Sequence, residues 1–391
     1  MRRRVVLPLV LLLGAVLAVA ALRGRPGARD DVDAAVEARA AACLPTTPPA
    51  AGGDAPPLAR AGRLLVANPS ARAATVVELA TGTATRIPLD LRDPHEAAVS
   101  PDGRWGVVSD FGARGAPRRV RGQEVWDFDG RRLAVIDLAA ARVARSIDAG
   151  AHRGLHDVAF VPGAPGRVVV TAQSSRTVAE VDVATGAVAV AGTLRTDAYG
   201  SHLLAVTGDG RAVLTVDEID GTVTRLDRAT GARVWQRAVG APPLEGIGVT
   251  PDGRTVLVGS LRDGTVRLLD GASGAVRATV AGFATPVRIA VTPDGRRALV
   301  ADARCGAAHV LDVAAARVEA TIGGLGQPTG VEIAADGRTA FVTLGDRDAV
   351  AVLDLATGRV VARHAAGRGP DGVGWGPAAG GAALTAPGAA R

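Results

Sequence analysis

Residues 245–281, EGIGVTPDGRTVLVGSLRDGTVRLLDGASGAVRATVA, are one copy of a unit that the chain repeats along nearly its whole length. That repetition constrains the fold more than any single motif. The unit reads as four short strands separated by turn signals: Pro251-Asp252-Gly253-Arg254, then Leu261 to Gly264, then Gly271 to Gly274. Asp-Gly supplies the positive-φ position of a tight hairpin turn, and Thr255 to Ser260 and Thr265 to Asp270 supply alternating β-branched residues.

The inner-strand-plus-turn signature begins at His95, His156, His202, Glu245, Val287, Thr329 and Asp371. The spacings Asp209 to Asp252, Asp252 to Asp294 and Asp294 to Asp336 are 43, 42 and 42 residues, the period of a four-stranded propeller blade. A Thr-Gly or Ser-Gly turn before the outer strand recurs at Thr81, Thr185, Thr230, Ser273 and Thr357. The chain enters with only three strands, Arg63 to Ala67, Ala74 to Leu79 and Thr83 to Leu89, and a lone inner strand remains at Asp371 to Pro377. The expected fold is therefore all-β: a seven-bladed β-propeller of four-stranded blades spanning 62–377, its ring closed by the C-terminal strand joining the N-terminal blade. Residues 378–391 are expected to be a disordered tail.

Hydrophobic content is 48%, with only 3% aromatics, and small apolar residues suit thin strands packed face to face. All 45 basic residues are arginines; six precede Asp30, which leaves 39 against 39 acidic residues in the body. The basic total is thus no argument for a nucleic-acid partner. Arg2-Arg3-Arg4 followed by the apolar run Val5 to Leu22 reads as a secretory signal peptide, with Ala18-Val19-Ala20 as its cleavage site, or as a short N-terminal membrane anchor. Either places the body outside the cytoplasm, in the periplasm, at the cell surface or secreted. Membrane contact is then expected only through that segment if it is retained. Residues 23–61 read as a Pro/Ala-rich tether with a short helix over Asp30 to Ala42, outside the core. Cys43 and Cys305 can form a disulfide in an oxidising compartment or stand as separate thiols, and separate thiols are the expectation.

The segments VTPDGRTVLV, VRLLDGASGAV and VAVLDLATGRV resemble the YVTN-type β-propeller repeat, in particular the extracytoplasmic YncE-like group. The resemblance covers about residues 62–377 and implies the fold, a monomeric ring and a role as binding platform, cofactor holder or, in related families, enzyme. Trp126-Asp127 lies outside the register where a WD-repeat dipeptide belongs.

In a propeller, the blade-to-blade loops and the loops between second and third strands share one face, where ligands usually bind. His95, His156, His202, Glu245, Val287, Thr329 and Asp371 occupy one register at that channel mouth, flanked by Glu96, Asp157 and Arg288. Imidazole with carboxylate suits a borderline divalent metal such as zinc, with His95, His156, His202 and Glu245 as candidate ligands. The same groups suit acid–base work, or hydrogen bonding between blades without a ligand. An insert, FGARGAPRRVRGQEVWDFDGR, carries Arg114, Arg118, Arg119 and Arg121 ahead of Trp126 and Phe128, and is expected over the histidine face. It reads as an anionic-ligand or partner surface, or as a solvated Arg-rich loop, the latter preferred. No G-x-S-x-G elbow, P-loop, Rossmann fingerprint or C-x-x-C-H motif is present. The expected function is an extracytoplasmic platform for a small ligand or protein partner, with no cofactor required beyond a possible divalent metal. The alternatives are a metal-assisted lactonase- or lyase-like enzyme and a redox-cofactor-linked accessory.

Overall fold

A computed structural model describes residues 28–47, 55–120, 123–188 and 194–378. The leader expected at 1–22, Arg121 and the tail from 379 lie outside the described residues. Seven four-stranded antiparallel sheets form the body, numbered here as blades 1 to 7 in chain order. Their innermost strands touch one another in a ring: Pro94–Val99, Leu155–Val161, Ser201–Val206, Leu244–Val249, Pro286–Val291, Pro328–Ile333 and Val373–Gly376. The last belongs to blade 1. Val373 pairs with Val66 and Gly376 with Arg63, so the C-terminal strand closes the ring on the strand Arg63–Asn68.

Seven apolar clusters lie between adjacent blades, because both faces of every sheet are covered. Along one strand, Leu64 and Val66 pack toward Phe341 and Val350 of blade 7, whereas Leu65 and Ala67 pack toward Val108 and Ala134 of blade 2. Leu64, Leu65 and Val66 are fully buried, and each such side chain stabilises the ring by about 1.5–3 kcal/mol. This two-sided burial explains why second strands read as apolar runs rather than alternating ones. Near the axis the blades converge, and space runs out. A Cβ on Gly248 meets Ile289 and Val291 at 3.1 Å, and one on Gly374 meets the Val99 backbone at 2.8 Å. The equivalent positions elsewhere are Ala98, Ala159, Ala205, Ala290 and, as the exception, Glu332.

The repeated turns have a concrete chemistry. Thr250 Oγ1 donates to Asp252 Oδ1 at 2.6 Å, the same oxygen accepts the Arg254 amide at 3.0 Å, and Gly253 takes φ +70°. Thr207 with Asp209 and Thr292 with Asp294 repeat it. On the Thr-Gly side, Asp227 Oδ1 accepts both the amide and the hydroxyl of Thr230. A side chain that replaces missing backbone partners in this way favours the tight turn locally, before any blade contact exists.

Two elements depart from the repeat, and both differ from expectation. The insert in blade 2 is an ordered hairpin, Arg114–Val120 with Gln123–Phe128, rather than a solvated loop. Its first strand is exposed, but Val125 packs with Ile219 and the Phe128 amide donates to Ser174 Oγ at 2.6 Å, which docks it on blades 3 and 4. The expected tether is likewise seated: a helix, Ala28–Ala41, lies on blades 5 and 6. Arg39 Nη2 donates to the Leu261 carbonyl at 2.7 Å, Glu37 pairs with Arg304 at 3.1 Å, and Val36 is buried. Thr47 exchanges two 2.9 Å hydrogen bonds with Thr321. Cys43 and Cys305, expected as separate thiols, form a disulfide, because the helix brings the two Cα atoms to 5.6 Å, within the range a disulfide spans.

Candidate functional site

The candidate site is the channel mouth, and a repeated backbone device builds it. Pairing of the innermost strand skips from Pro94 to Ala97, from Leu155 to Val158, from Ser201 to Leu204 and from Leu244 to Ile247. His95, His156, His202 and Glu245 therefore sit in β-bulges, which re-aim a side chain out of the ladder. A second-strand hydroxyl fastens several bulges to the next blade. Thr171 Oγ1 accepts the Asp157 amide at 2.9 Å and donates to the His202 carbonyl at 2.7 Å. Ser109 does the same between the Glu96 amide and the His156 carbonyl, and Thr343 between the Gly330 amide and the Asp371 carbonyl.

The three imidazoles form a contiguous row. Ring centroids are 4.4 Å apart for His95 and His156, and 3.8 Å for His156 and His202. Acidic groups flank both ends: His95 Nδ1 lies 3.6 Å from Asp93 and its Nε2 3.6 Å from Asp371, while His202 Nδ1 lies 3.7 Å from Glu218 and its Nε2 3.9 Å from Glu245. These are ion-pair rather than hydrogen-bond distances. His202 Nδ1 has a true partner in Gln173 Oε1 at 2.9 Å. Arg288 reaches across the throat to pair with Glu96. His95, His156, His202, Glu245, Val287, Arg288, Thr329 and Asp371 together enclose a cavity of about 20 Å³, room for one water-sized species.

Burial governs the ionisation of these groups. It pulls His202 down to about 3 and His156 well below the ordinary histidine value, with the neighbouring imidazoles adding to the effect. His95 is also pulled down by burial, but Asp93 and Asp371 outweigh that and raise it overall. Burial pushes Glu218 up to about 7 and Glu245 well above the carboxylate range, the latter helped by Glu218 and Asp371. The mouth at neutral pH thus has two neutral imidazoles and a reluctance to ionise every acid at once.

The sequence-predicted residues divide. His95, His156, His202, Glu245, Arg288 and Asp371 line one cavity, and Glu96 joins them through Arg288. Asp157 does not: its carboxylate accepts the amides of Leu204 at 2.8 Å and Val158 at 2.9 Å, and holds the bulge. Trp126 is not a lining residue either; it lies in the hairpin under the Arg114 guanidinium, 3.3 Å from the ring centroid. The residues missed are Asp93, Gln173 and Phe111. Phe111 contacts His95 and His156 at centroid distances of 5.2 and 4.7 Å, and stacks on Phe128 of the hairpin at 3.7 Å. The available signal was a phenylalanine directly after a second strand, in a chain with only five.

A second convergent set, Asp302, Cys305 and His309, is structural. Asp302 accepts the Ala284 and Thr285 amides at 2.7 and 2.9 Å, and Cys305 is committed to its disulfide. A wider cavity, about 790 Å³, lies on the opposite face among the Asp-Gly turns of blades 5 to 7. Its Asp252 and Asp294 carboxylates are spent on turn amides and hydroxyls. We place the candidate site at the mouth, where His95 Nδ1, both His156 ring nitrogens and Glu245 Oε2 are buried without hydrogen-bond partners.

A family model described as outer membrane protein assembly factor BamB matches residues 104–363. No curated protein matches the chain. Among solved structures, a functionally unknown protein from Desulfotomaculum acetoxidans DSM 771 is 16% identical with a TM-score of 0.65, covering 81% of this chain and 99% of its own. Kuenenia stuttgartiensis hydrazine synthase is 16% identical with a TM-score of 0.61, covering 78% of this chain and 99% of its own. At that identity the likeness is one of fold alone. Among the described residues, no helix is long and apolar enough to cross a membrane.

Proposed function

The chain belongs to the propeller family described as outer membrane protein assembly factor BamB, and from that premise we propose that it is an extracytoplasmic, non-catalytic platform that holds a protein partner on its channel-mouth face. One observation carries the reading: the two added elements, the hairpin and the helix, both attach at loops joining second to third strands, the end of the blades where the histidines lie. The hairpin seats on blades 3 and 4 and meets the histidine row through Phe111 and Phe128, and the helix seats on blades 5 and 6. The Arg-rich leader and the Cys43–Cys305 disulfide support an oxidising compartment outside the cytoplasm. The finer YncE-like grouping rests on the repeat segments quoted above. A lactonase- or lyase-like reading is less favoured, because the cavity lined by the histidine row holds only about 20 Å³, smaller than an organic substrate.

A photo-crosslinking residue placed at exposed Arg119 on the hairpin or Arg153 at the mouth, in the full chain in intact cells, tests this against the same residue at Arg254 on the turn face. Discrete adducts are expected from the first two positions only. Adducts from Arg254 alone would place the partner on the wrong face and sink the reading.

A further inference from the structure

We propose that the throat is a specific site for one borderline transition-metal dication, of the zinc or copper type, ligated by His95, Glu96 and His156. The inference concerns the throat itself and stands apart from the partner reading above. One donor atom from each of these three residues converges within 4.8 Å of the other two, and all three residues are buried. Tetrahedral coordination with bonds of roughly 2.0–2.2 Å requires donors about 3.4 Å apart. Ligation requires side-chain rotations that bring the donors closer by at most about 1.4 Å.

The unpartnered atoms point the same way. His156 is 1% exposed, and neither of its ring nitrogens has a hydrogen-bond partner; His95 Nδ1 has none either. A buried imidazole without any partner has lost its water contacts and gained nothing in exchange, so the pair calls for an occupant that both rings can face. The cavity of about 20 Å³ limits that occupant to an ion or a single water. Charge decides between them. Asp93, Glu96 and Asp371 flank His95, Glu218 and Glu245 flank His202, and Arg288 is the one guanidinium among the cavity-lining residues. A dication relieves that imbalance, which a water does not. Imidazole donors select zinc, copper or nickel over magnesium or calcium.

The donor set differs from the one expected from the register. His202 Nδ1 is already held by Gln173, and Glu245 lies 3.9 Å from His202, outside the convergent group. Glu96, one residue beyond the circle, takes their place: its carboxylate lies in the convergent group with His95 and His156 and pairs with Arg288. Arg288, paired with Glu96, positions that carboxylate rather than ligating.

The test uses the full purified chain, stripped with chelator and titrated with Zn²⁺ by calorimetry, with metal content measured after gel filtration. One equivalent is expected, with affinity lowered about tenfold or more by His156→Ala and by His95→Asn, and unchanged by His364→Ala on an outer strand. Cu²⁺-loaded wild type is expected to show nitrogen superhyperfine coupling in its electron paramagnetic resonance spectrum. That readout decides the matter on its own if a variant fails to fold. Absence of a stoichiometric ion, affinity indifferent to both substitutions in folded variants, or a copper spectrum without nitrogen coupling overturns the site and leaves an ordered water as the occupant.

Discussion

Glu332 stands where the other six blades place alanine or glycine, in the narrow gap nearest the axis. Burial pushes its carboxyl up to about 8, and no partner charge offsets that. The sign follows from linkage: the folded state holds its proton at a pH where the unfolded chain has already released it. Between the unfolded value of about 4.5 and about 8, raising the pH therefore removes stability, and lowering it restores stability. Solvent still reaches part of this side chain, so the effect is expected to be modest. Glu332→Gln is predicted to raise stability by about 1 kcal/mol at pH 8 and to make no difference at pH 4. Thermal melts of both proteins at the two pH values check it; an equal offset at both would assign the effect to packing instead.

Among elements, the N-terminal helix shows how a segment with little core of its own becomes part of the molecule. Its attachment rests on Val36, the Arg39 and Glu37 contacts, and the disulfide to Cys305. Residues beyond it repeat the pattern, with Leu58 and Ala59 joining the cluster between blades 1 and 7. Cys43→Ser is predicted to leave the propeller folded but to release the helix. Limited proteolysis should then cut between the helix and Gly62 at least several-fold faster, while the main thermal transition moves by no more than about 3 kcal/mol equivalent. Unchanged proteolysis would mean that the non-covalent contacts suffice.

For the whole molecule, stability depends on closure. The four-residue strand Val373–Gly376 is the link between the last blade and the first, and Trp375 Nε1 also donates to the Ala61 carbonyl at 3.0 Å. A chain ending at Asp371 loses that strand, exposing the inner edge of Arg63–Asn68 and the cluster around Val66 and Phe341. We predict loss of the single cooperative transition and conversion to aggregate, measured by calorimetry and light scattering. Retention of a wild-type melting curve would show that the ring holds without its closing strand.

Blade number, strand order, closure and the circle of mouth residues were all legible in the sequence. Each is written locally: a turn needs Thr, Asp and Gly at set spacings, and a two-residue strand period carries its own face assignment. The histidine register was legible for the same reason, since equivalent positions of a closed ring must face one axis. What the register could not carry was direction and distance. The bulges that carry His95 and Glu96 arise from pairing with the neighbouring strand, and Asp157, one position from a circle histidine as Glu96 is, turns instead to the Leu204 amide. Phe111 meets His156 only when blades 2 and 3 pack together, and Cys43 meets Cys305 across a separation of 262 residues only when the helix seats on blades 5 and 6. Local turn chemistry thus determined the propeller, while contacts between segments remote in the chain decided which of its mouth residues converge.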